Sequence, residues 1–309
     1  MKTTEDIRSG FRGRWTENVL LSDKTWYKIG GPCIAWCEPD DIEDLKYLLR
    51  MCKKNEIGFF VHGKGSNLLV SDRGISGIVI DLEKACSFTQ FEKTQVSAGA
   101  GVYMPKLVLE CERQGLAGIE MFAGIPGTVG GAIRMNAGCH GKEMFDVLTE
   151  VTTLEDDVLV TRSKSEIRFA YRHVETLEKP DTVIVSGKMV LEYGDKEALA
   201  EQRKAYMEKR RLTQPINLPS SGSVFKNPAG HHAARLIEEA GLKGFRIGGA
   251  SVSEKHANFI VNEGKAKAAD VLEIIKHIRQ TIAQRNGIRL ETEVKFVGFN
   301  HEELDGITD

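Results

Sequence analysis

The sequence has no CxxC pair, no apolar run of membrane-spanning length, no excess of charge of one sign, and no internal repeat or low-complexity stretch. Each absence removes a class of protein. Six cysteines (Cys33, Cys37, Cys52, Cys86, Cys111 and Cys139) are scattered singly. Structural zinc draws on closely spaced Cys or His pairs, and disulfide frameworks belong to small secreted chains, so buried free thiols are expected. The eight histidines show no ligand spacing either, and His231-His232 reads as the opening of a helix; no metal is expected. Forty-two basic residues nearly cancel forty-four acidic ones, leaving a net charge of −2 without the basic footprint of a nucleic-acid binder. No segment approaches the ~20 apolar residues of a membrane span, and the N-terminus lacks the apolar core of a signal peptide. A cytoplasmic protein, free of nucleic-acid and membrane partners, is the expectation.

At 309 residues the chain is long enough for two domains and a sizeable core. Its compositional signal is glycine, 31 residues against a usual ~7%, gathered in short clusters where backbone can come close to a ligand. The elements alternate in type. Acidic Asp40, Asp41, Glu43 and Asp44 open a helix with Ile42, Leu45, Leu48, Leu49 and Cys52 on one face, closed by Lys53 and Lys54. Strands are expected at 57–61, 75–82, around 183–185 and at 257–261; further helices at 105–112, 233–240 and from 268 to a stop at Gly287. Residues 291–299 alternate like a last strand, and 196–211 resemble an exposed helical connector. This α+β pattern (mixed α/β) changes texture near residues 200–210, the expected domain boundary.

Two glycine clusters stand out. Gly63-Lys64-Gly65-Ser66-Asn67-Leu68 follows a strand, yet it is neither the dinucleotide fingerprint, whose third glycine is replaced by Leu68, nor a P-loop. A pyrophosphate-binding turn and an ordinary tight turn both remain open on these residues alone. The run from Gly124 to Gly138, with Pro126, Gly127, Gly130, Gly131 and Asn136, has little side-chain volume along what reads as a long irregular stretch, although Ile125, Val129, Ile133 and Met135 accompany it. A loop lining a flat ligand is favoured over a surface loop.

Three polar residues are candidates for chemistry. Ser223, between Gly222 and the apolar Val224-Phe225, is an acid only beside cations such as Lys226 or Arg172, and otherwise a turn serine. Arg172, after Phe169 and Tyr171, is either a solvated arginine or a planar cation for a carboxylate or enolate oxygen. Glu293, which strand alternation puts on one face with Glu291 and Lys295, is either a third such residue or part of a polar, solvated strand face.

The ordered set of Thr25-Trp26-Tyr27-Lys28-Ile29-Gly30-Gly31, the Gly63–Leu68 turn, the Gly124–Gly138 run, Phe169-Ala170-Tyr171-Arg172, Gly222-Ser223-Val224-Phe225-Lys226-Asn227-Pro228 and Glu293-Val294-Lys295 resembles the UDP-N-acetylenolpyruvoylglucosamine reductase family, from about residue 15 to 300. The resemblance implies a two-lobed FAD-binding region of the PCMH/vanillyl-alcohol-oxidase type (1–205, lobes 1–82 and 83–205) and a C-terminal substrate domain (206–309). It implies non-covalent FAD held by the two glycine clusters, NADPH as co-substrate, and UDP-N-acetylmuramate as product for peptidoglycan. By the same resemblance Ser223 is the proton donor, Arg172 and Glu293 stabilise the enolic intermediate, and Asn227 and His256 contact the nucleotide-sugar; Lys226 is a weaker candidate for its pyrophosphate. A monomer is expected. The 51 positions between Arg172 and Ser223 match the shorter class of the family, without the insertion whose tyrosine covers the substrate. Cys139-His140 departs from the family pattern near the flavin. His62, Cys139 and His140 keep open a covalent-flavin oxidase of sugars or alcohols, and a non-catalytic flavin or nucleotide-sugar binder is the remaining alternative.

Overall fold

Asp41 starts the first long helix, Ile42–Lys54, by accepting the Asp44 N–H at 2.9 Å, and Lys53 and Lys54 occupy its last turn. Leu45, Leu48 and Cys52, spaced along one face, are fully buried. The computed structural model describes residues 4–179 and 181–308. After this helix the chain forms Gly58–His62, which pairs in parallel with Ile75–Asp81 in a four-stranded sheet whose other members are Cys33–Glu38 and Arg14–Glu17. The helix expected near 105–112 is Met104–Gln114, with Pro105 in its first turn and Gly115 in the left-handed conformation after its end.

A five-stranded antiparallel sheet follows, ordered Val158–Ser163, Leu148–Glu155, Val183–Val190, Gln95–Gly99 and Thr89–Glu92. Of these strands only the third announces itself as an apolar run. The outer strand Val158–Ser163 buries none of its residues, so no in/out contrast marks it. At Gly187 in the central strand a Cβ would lie 2.6 Å from Ile133 Cδ1 and 2.9 Å from Leu148 Cδ1, so glycine is what lets the short helix Val129–Arg134 pack there. The helix Lys196–Thr213 lacks an apolar stripe, as expected; an Arg203–Glu112 ion pair at 2.6 Å and a Tyr206–His140 ring stack at 4.5 Å fasten it instead.

Residues group into two compact units. The first contains the segments ending at Glu17, at Gly63 (from Ala35) and at Arg210 (from Gly77); the second contains Asn18–Ile34, Lys64–Ser76 and the chain from Arg211 onward. In the second unit a three-stranded antiparallel sheet (Arg246–Ile247, Ala250–Val252, Ile260–Asn262) accompanies the helices Ala233–Glu239 and Ala268–Asn286. The last helix buries Val271, Ile274, Ile275, Ile278 and Ile282 and ends at left-handed Gly287, as its spacing requires. Tyr27, Ile29 and Leu69, from the N-terminal segments of this unit, are part of the same core.

Two expected strands are shorter than their patterns. The 257–261 strand begins only at Ile260, because Asn258 spends its backbone and side chain on Val224 and Phe225. The 291–299 strand is only Lys295–Val297, paired in parallel with Leu68–Val70. No helix among the described residues is long and apolar enough to cross a membrane. The thiols of Cys52, Cys86 and Cys111 are buried and pushed up to about 12 by desolvation, which makes them inert small hydrophobes.

Candidate active site

In the first unit the glycine run is not one irregular loop. A 3₁₀ turn, Glu120–Gly124, leads through half-buried Pro126 and buried Gly127 to the helix Val129–Arg134. Thr128 caps that helix by accepting the Gly131 N–H at 3.3 Å, while Val129, Ala132 and Ile133 are buried. Of the apolar residues that argue against a surface loop, Val129 and Ile133 lie on the buried face of this helix, while Ile125 and Met135 flank it half-buried. At Gly131 a Cβ would meet only Thr128 Oγ1, at 3.5 Å; at Gly124 it would meet only the Arg210 side chain, at 3.3 and 3.4 Å. Gly63, Gly130 and Gly138 are small for a different reason: a Cβ there would strike Thr128, Ala100 or the Lys142 carbonyl at 2.8 Å or less. Burial lowers the pKa of Arg210, whose guanidinium stays charged beside Cys139. Bare backbone with a cation beside it suits a flat, phosphate-bearing group such as FAD.

Asn136 follows that helix, fully buried and at φ 40°. Its carboxamide is spent on protein: Nδ2 donates to Glu143 Oε2 at 2.7 Å and to Ala170 O at 3.1 Å, and Oδ1 accepts from Phe145 N at 3.1 Å. Gly138-Cys139 pairs with Lys142-Glu143 across a two-residue turn in which His140 and Gly141 both have positive φ (53° and 81°), the geometry of a tight hairpin. Cys139 donates to Met121 O at 2.9 Å, and burial raises its thiol to about 11.

Arg172 sits on the loop of a second tight reversal, closed by the Ala170–His173 bridge. Its φ of 56° is costly for a residue with a Cβ, about 1–3 kcal/mol, and such outliers gather at functional sites. The guanidinium is held by Glu143 Oε1 at 3.2 Å, Asn136 O at 3.3 Å and Gly138 O at 2.6 Å, and lies over the Tyr171 ring at 4.7 Å. Two of the residues assigned to cofactor, Asn136 and Gly138, are therefore direct neighbours of Arg172.

In the second unit the Lys64–Leu68 turn, with Gly65 at φ 63°, meets the C-terminal strand. Asn67 O accepts the Lys295 N–H at 3.0 Å, and Asn67 Nδ2 donates to Glu293 O at 3.1 Å. Half-buried Ser66 stands between Gly65 and Asn67 in this turn. A cavity of about 410 Å³ in the same unit is lined by Lys24, Trp26, Lys28, Lys64 and Leu218 among others.

Ser223 follows Gly222, whose φ is 79°, and precedes the buried anchors Val224 and Phe225. Those anchors are clamped on one side by Asn258, which takes the Val224 N–H on its carbonyl at 2.9 Å and the Phe225 N–H on Oδ1 at 3.0 Å, and donates Nδ2 to Phe225 O at 2.8 Å. On the other side the 291–294 backbone pairs with them. Lys226 N donates to Glu291 O at 2.9 Å, and Glu293 N and Val294 N both donate to Val224 O, at 2.8 and 3.4 Å. Two residues facing one carbonyl make a β-bulge, which re-aims a side chain. Glu291, ahead of the bulge, is exposed and bonds Lys226 Nζ at 3.2 Å, while Glu293, within it, is half-buried.

Asn227 Oδ1 accepts the Ala233 N–H at 3.0 Å and so supports the start of the helix that follows His232. His256 Nδ1 accepts the Asn258 N–H at 3.3 Å, which leaves the ring proton on Nε2, and burial lowers its pKa. The structure thus gathers Ser223, Glu293, Asn67, Asn227 and His256 in the second unit, and Arg172, Asn136 and Gly138 in the first. Sequence reasoning misses Glu143, Arg210 and Asn258; each is a common polar residue whose role lies wholly in its partners.

The fold and these residues define an α+β flavoprotein. The FAD binding domain model matches residues 34–162, and the model of the UDP-N-acetylenolpyruvoylglucosamine reductase C-terminal domain matches residues 214–297. The chain belongs to the UDP-N-acetylenolpyruvoylglucosamine reductase family. It is similar to the reductase of Heliobacterium modesticaldum, with 43% identity over 97% of this chain and 96% of that one. The Bacillus subtilis reductase is 39% identical over 97% of this chain and 99% of its own length. The crystal structure of the reductase from Thermus caldophilus, 37% identical, superposes with a TM-score of 0.79 over 92% of this chain and 99% of that chain.

Proposed function

We propose that this protein reduces the enolpyruvyl ether of UDP-N-acetylglucosamine to UDP-N-acetylmuramate, a peptidoglycan precursor, with NADPH as reductant, in the cytoplasm. Bound non-covalently, FAD would supply the redox chemistry that links NADPH oxidation to reduction of the substrate's vinyl group. Residues of this chain handle the charge and the proton. Arg172 and Glu293 stabilise the negative charge that develops on the substrate carboxylate; a glutamate helps there as a neutral hydrogen-bond donor. The Ser223 hydroxyl gives its proton to the carbon that bears the ether and the carboxylate, which completes the addition of two hydrogens across the double bond. Lys226, Asn227 and His256 contact the nucleotide-sugar. Gly63, Lys64, Gly65, Ser66, Asn67 and Leu68 hold the cofactor together with the run from Gly124 and Pro126 through Gly127, Gly130 and Gly131 to Asn136 and Gly138.

The observation that carries this reading is the bulge at Glu293-Val294 opposite Val224, which ties the backbone of the candidate glutamate to the residue after Ser223. A turn serine and a polar strand face have no need of that registration. Incubation of purified protein with NADPH and the enolpyruvyl substrate tests the reading. The expected product is heavier than the substrate by two hydrogens. Consumption of NADPH without that product, or oxidation of a simple sugar or alcohol instead, would refute it.

A further inference from the structure

We infer that Glu143 is a positioning residue for Arg172, acting through the guanidinium without touching the reacting atoms. The inference rests on the proposed role of Arg172. The observation behind it is a division of labour within one carboxylate. Glu143 Oε2 accepts from Asn136 Nδ2 at 2.7 Å, and Glu143 Oε1 accepts from Arg172 Nη1 at 3.2 Å. Asn136 is itself anchored: it is fully buried, and its Oδ1 takes the Phe145 N–H from the turn that Glu143 opens. Glu143 is thereby the link between a rigid amide and a cation on a tight loop.

The two reversals explain why such a link is needed. Arg172 lies on a loop with φ of 56°, a conformation that returns no energy of its own and persists only where neighbours impose it. Three of its hydrogen-bond acceptors come from one stretch of chain: the Asn136 carbonyl, the Gly138 carbonyl and Glu143, the last two facing each other across the hairpin pair Glu143–Gly138. Carbonyl acceptors set where the guanidinium lies. Glu143 adds charge to the set, and a charge-assisted bond at a partly covered site is stronger than one to a neutral carbonyl. Side-chain exposures of 13% for Arg172 and 31% for Glu143 put the pair outside the fully screened surface class. A purely structural ion pair would leave substrate chemistry alone, whereas a positioning pair fails in the half-reaction that uses Arg172.

The test is a double-mutant cycle read in two half-reactions by anaerobic stopped flow, with flavin content and thermal midpoint measured on every variant. Glu143→Gln should leave NADPH reduction within about twofold and slow reoxidation by the enolpyruvyl substrate by ~10-fold or more, the scale of coupled neighbours. Arg172→Ala should slow reoxidation further, and Glu143→Gln added to Arg172→Ala should do nothing more. If Glu143→Gln slows reoxidation by the same factor with and without Arg172, or not at all in the wild-type background, the inference is overturned while the role of Arg172 stands. If Arg172→Ala reoxidises at the wild-type rate, the reading of Arg172 itself falls, and Glu143 with it. Glu143→Asp keeps the charge and should restore part of the lost rate; run through the same cycle it decides between the two outcomes should the glutamine variant fail to fold.

Discussion

The Glu293 amide donates to the Val224 carbonyl at 2.8 Å, and the Val294 amide shares the same oxygen at 3.4 Å. The two glutamates of this C-terminal segment lie in different environments. Glu291 lies outside the Glu293-Val294 bulge, exposed and paired with Lys226, whereas Glu293 is half-buried with its carbonyl held by Asn67.

Glu293→Gln should therefore slow reoxidation by the enolpyruvyl substrate and spare NADPH reduction. It should also remove one limb of the pH profile if the carboxylic acid is the working form. Glu291→Gln, which loses only an exposed ion pair, should change either rate little. Both are read by stopped flow, and the reverse pattern would reassign the role to Glu291.

Ser223→Ala should leave NADPH reduction nearly intact while reoxidation falls ~10²–10⁴-fold, the usual cost of a lost acid. Ser223→Cys should keep part of the activity, because a thiol still donates a proton. Equal slowing of both halves would point to a structural serine.

Asn258→Ala removes both side-chain bonds to Phe225 and strands a buried N–H and carbonyl. The cost should be about 2–4 kcal/mol, with a lowered thermal midpoint and reduced reoxidation together. Gly187→Ala should destabilise by about 1–3 kcal/mol through overpacking against Ile133 and Leu148, with loss of FAD following the loss of fold. Thermal melts with and without added FAD check both.

His256 supplies a pH dependence. Its folded pKa is depressed by burial, so between the ordinary value of about 6.5 and the lower folded value the unfolded chain binds more protons. Stability is full above that window and falls as pH drops through it, because a protonated Nδ1 would confront the Asn258 N–H. Denaturant melts across pH should show this limb, and His256→Gln should flatten it. The part left by His140, also depressed by burial, should remain.

Elements with one buried face are legible in the sequence. The helices Ile42–Lys54 and Ala268–Asn286 carry apolar residues at helical spacing, an N-terminal acidic turn or a left-handed glycine stop, and they fold as their residues dictate locally. The polar framework of the site is not. Asn67 meets Glu293 across 226 positions and Asn258 meets Phe225 across 33, and nothing in the spacing of such residues marks a partner that distant. The same holds for the bulge at Glu293-Val294, because nothing in the residue types there marks an extra residue in the ladder. The glycine run misleads in the other direction: Val129, Ala132 and Ile133 form a helix face too short to show a period.

The most direct measurement is a two-stage anaerobic titration of the purified yellow protein. Acid precipitation of a sample should first release the flavin into the supernatant, as non-covalent binding requires. NADPH should then bleach the remaining protein, and the enolpyruvyl ether of UDP-N-acetylglucosamine, added without oxygen, should restore the oxidised spectrum with one UDP-N-acetylmuramate formed per flavin. A protein that NADPH bleaches but this substrate cannot reoxidise, or one that takes up no FAD, would contradict the account.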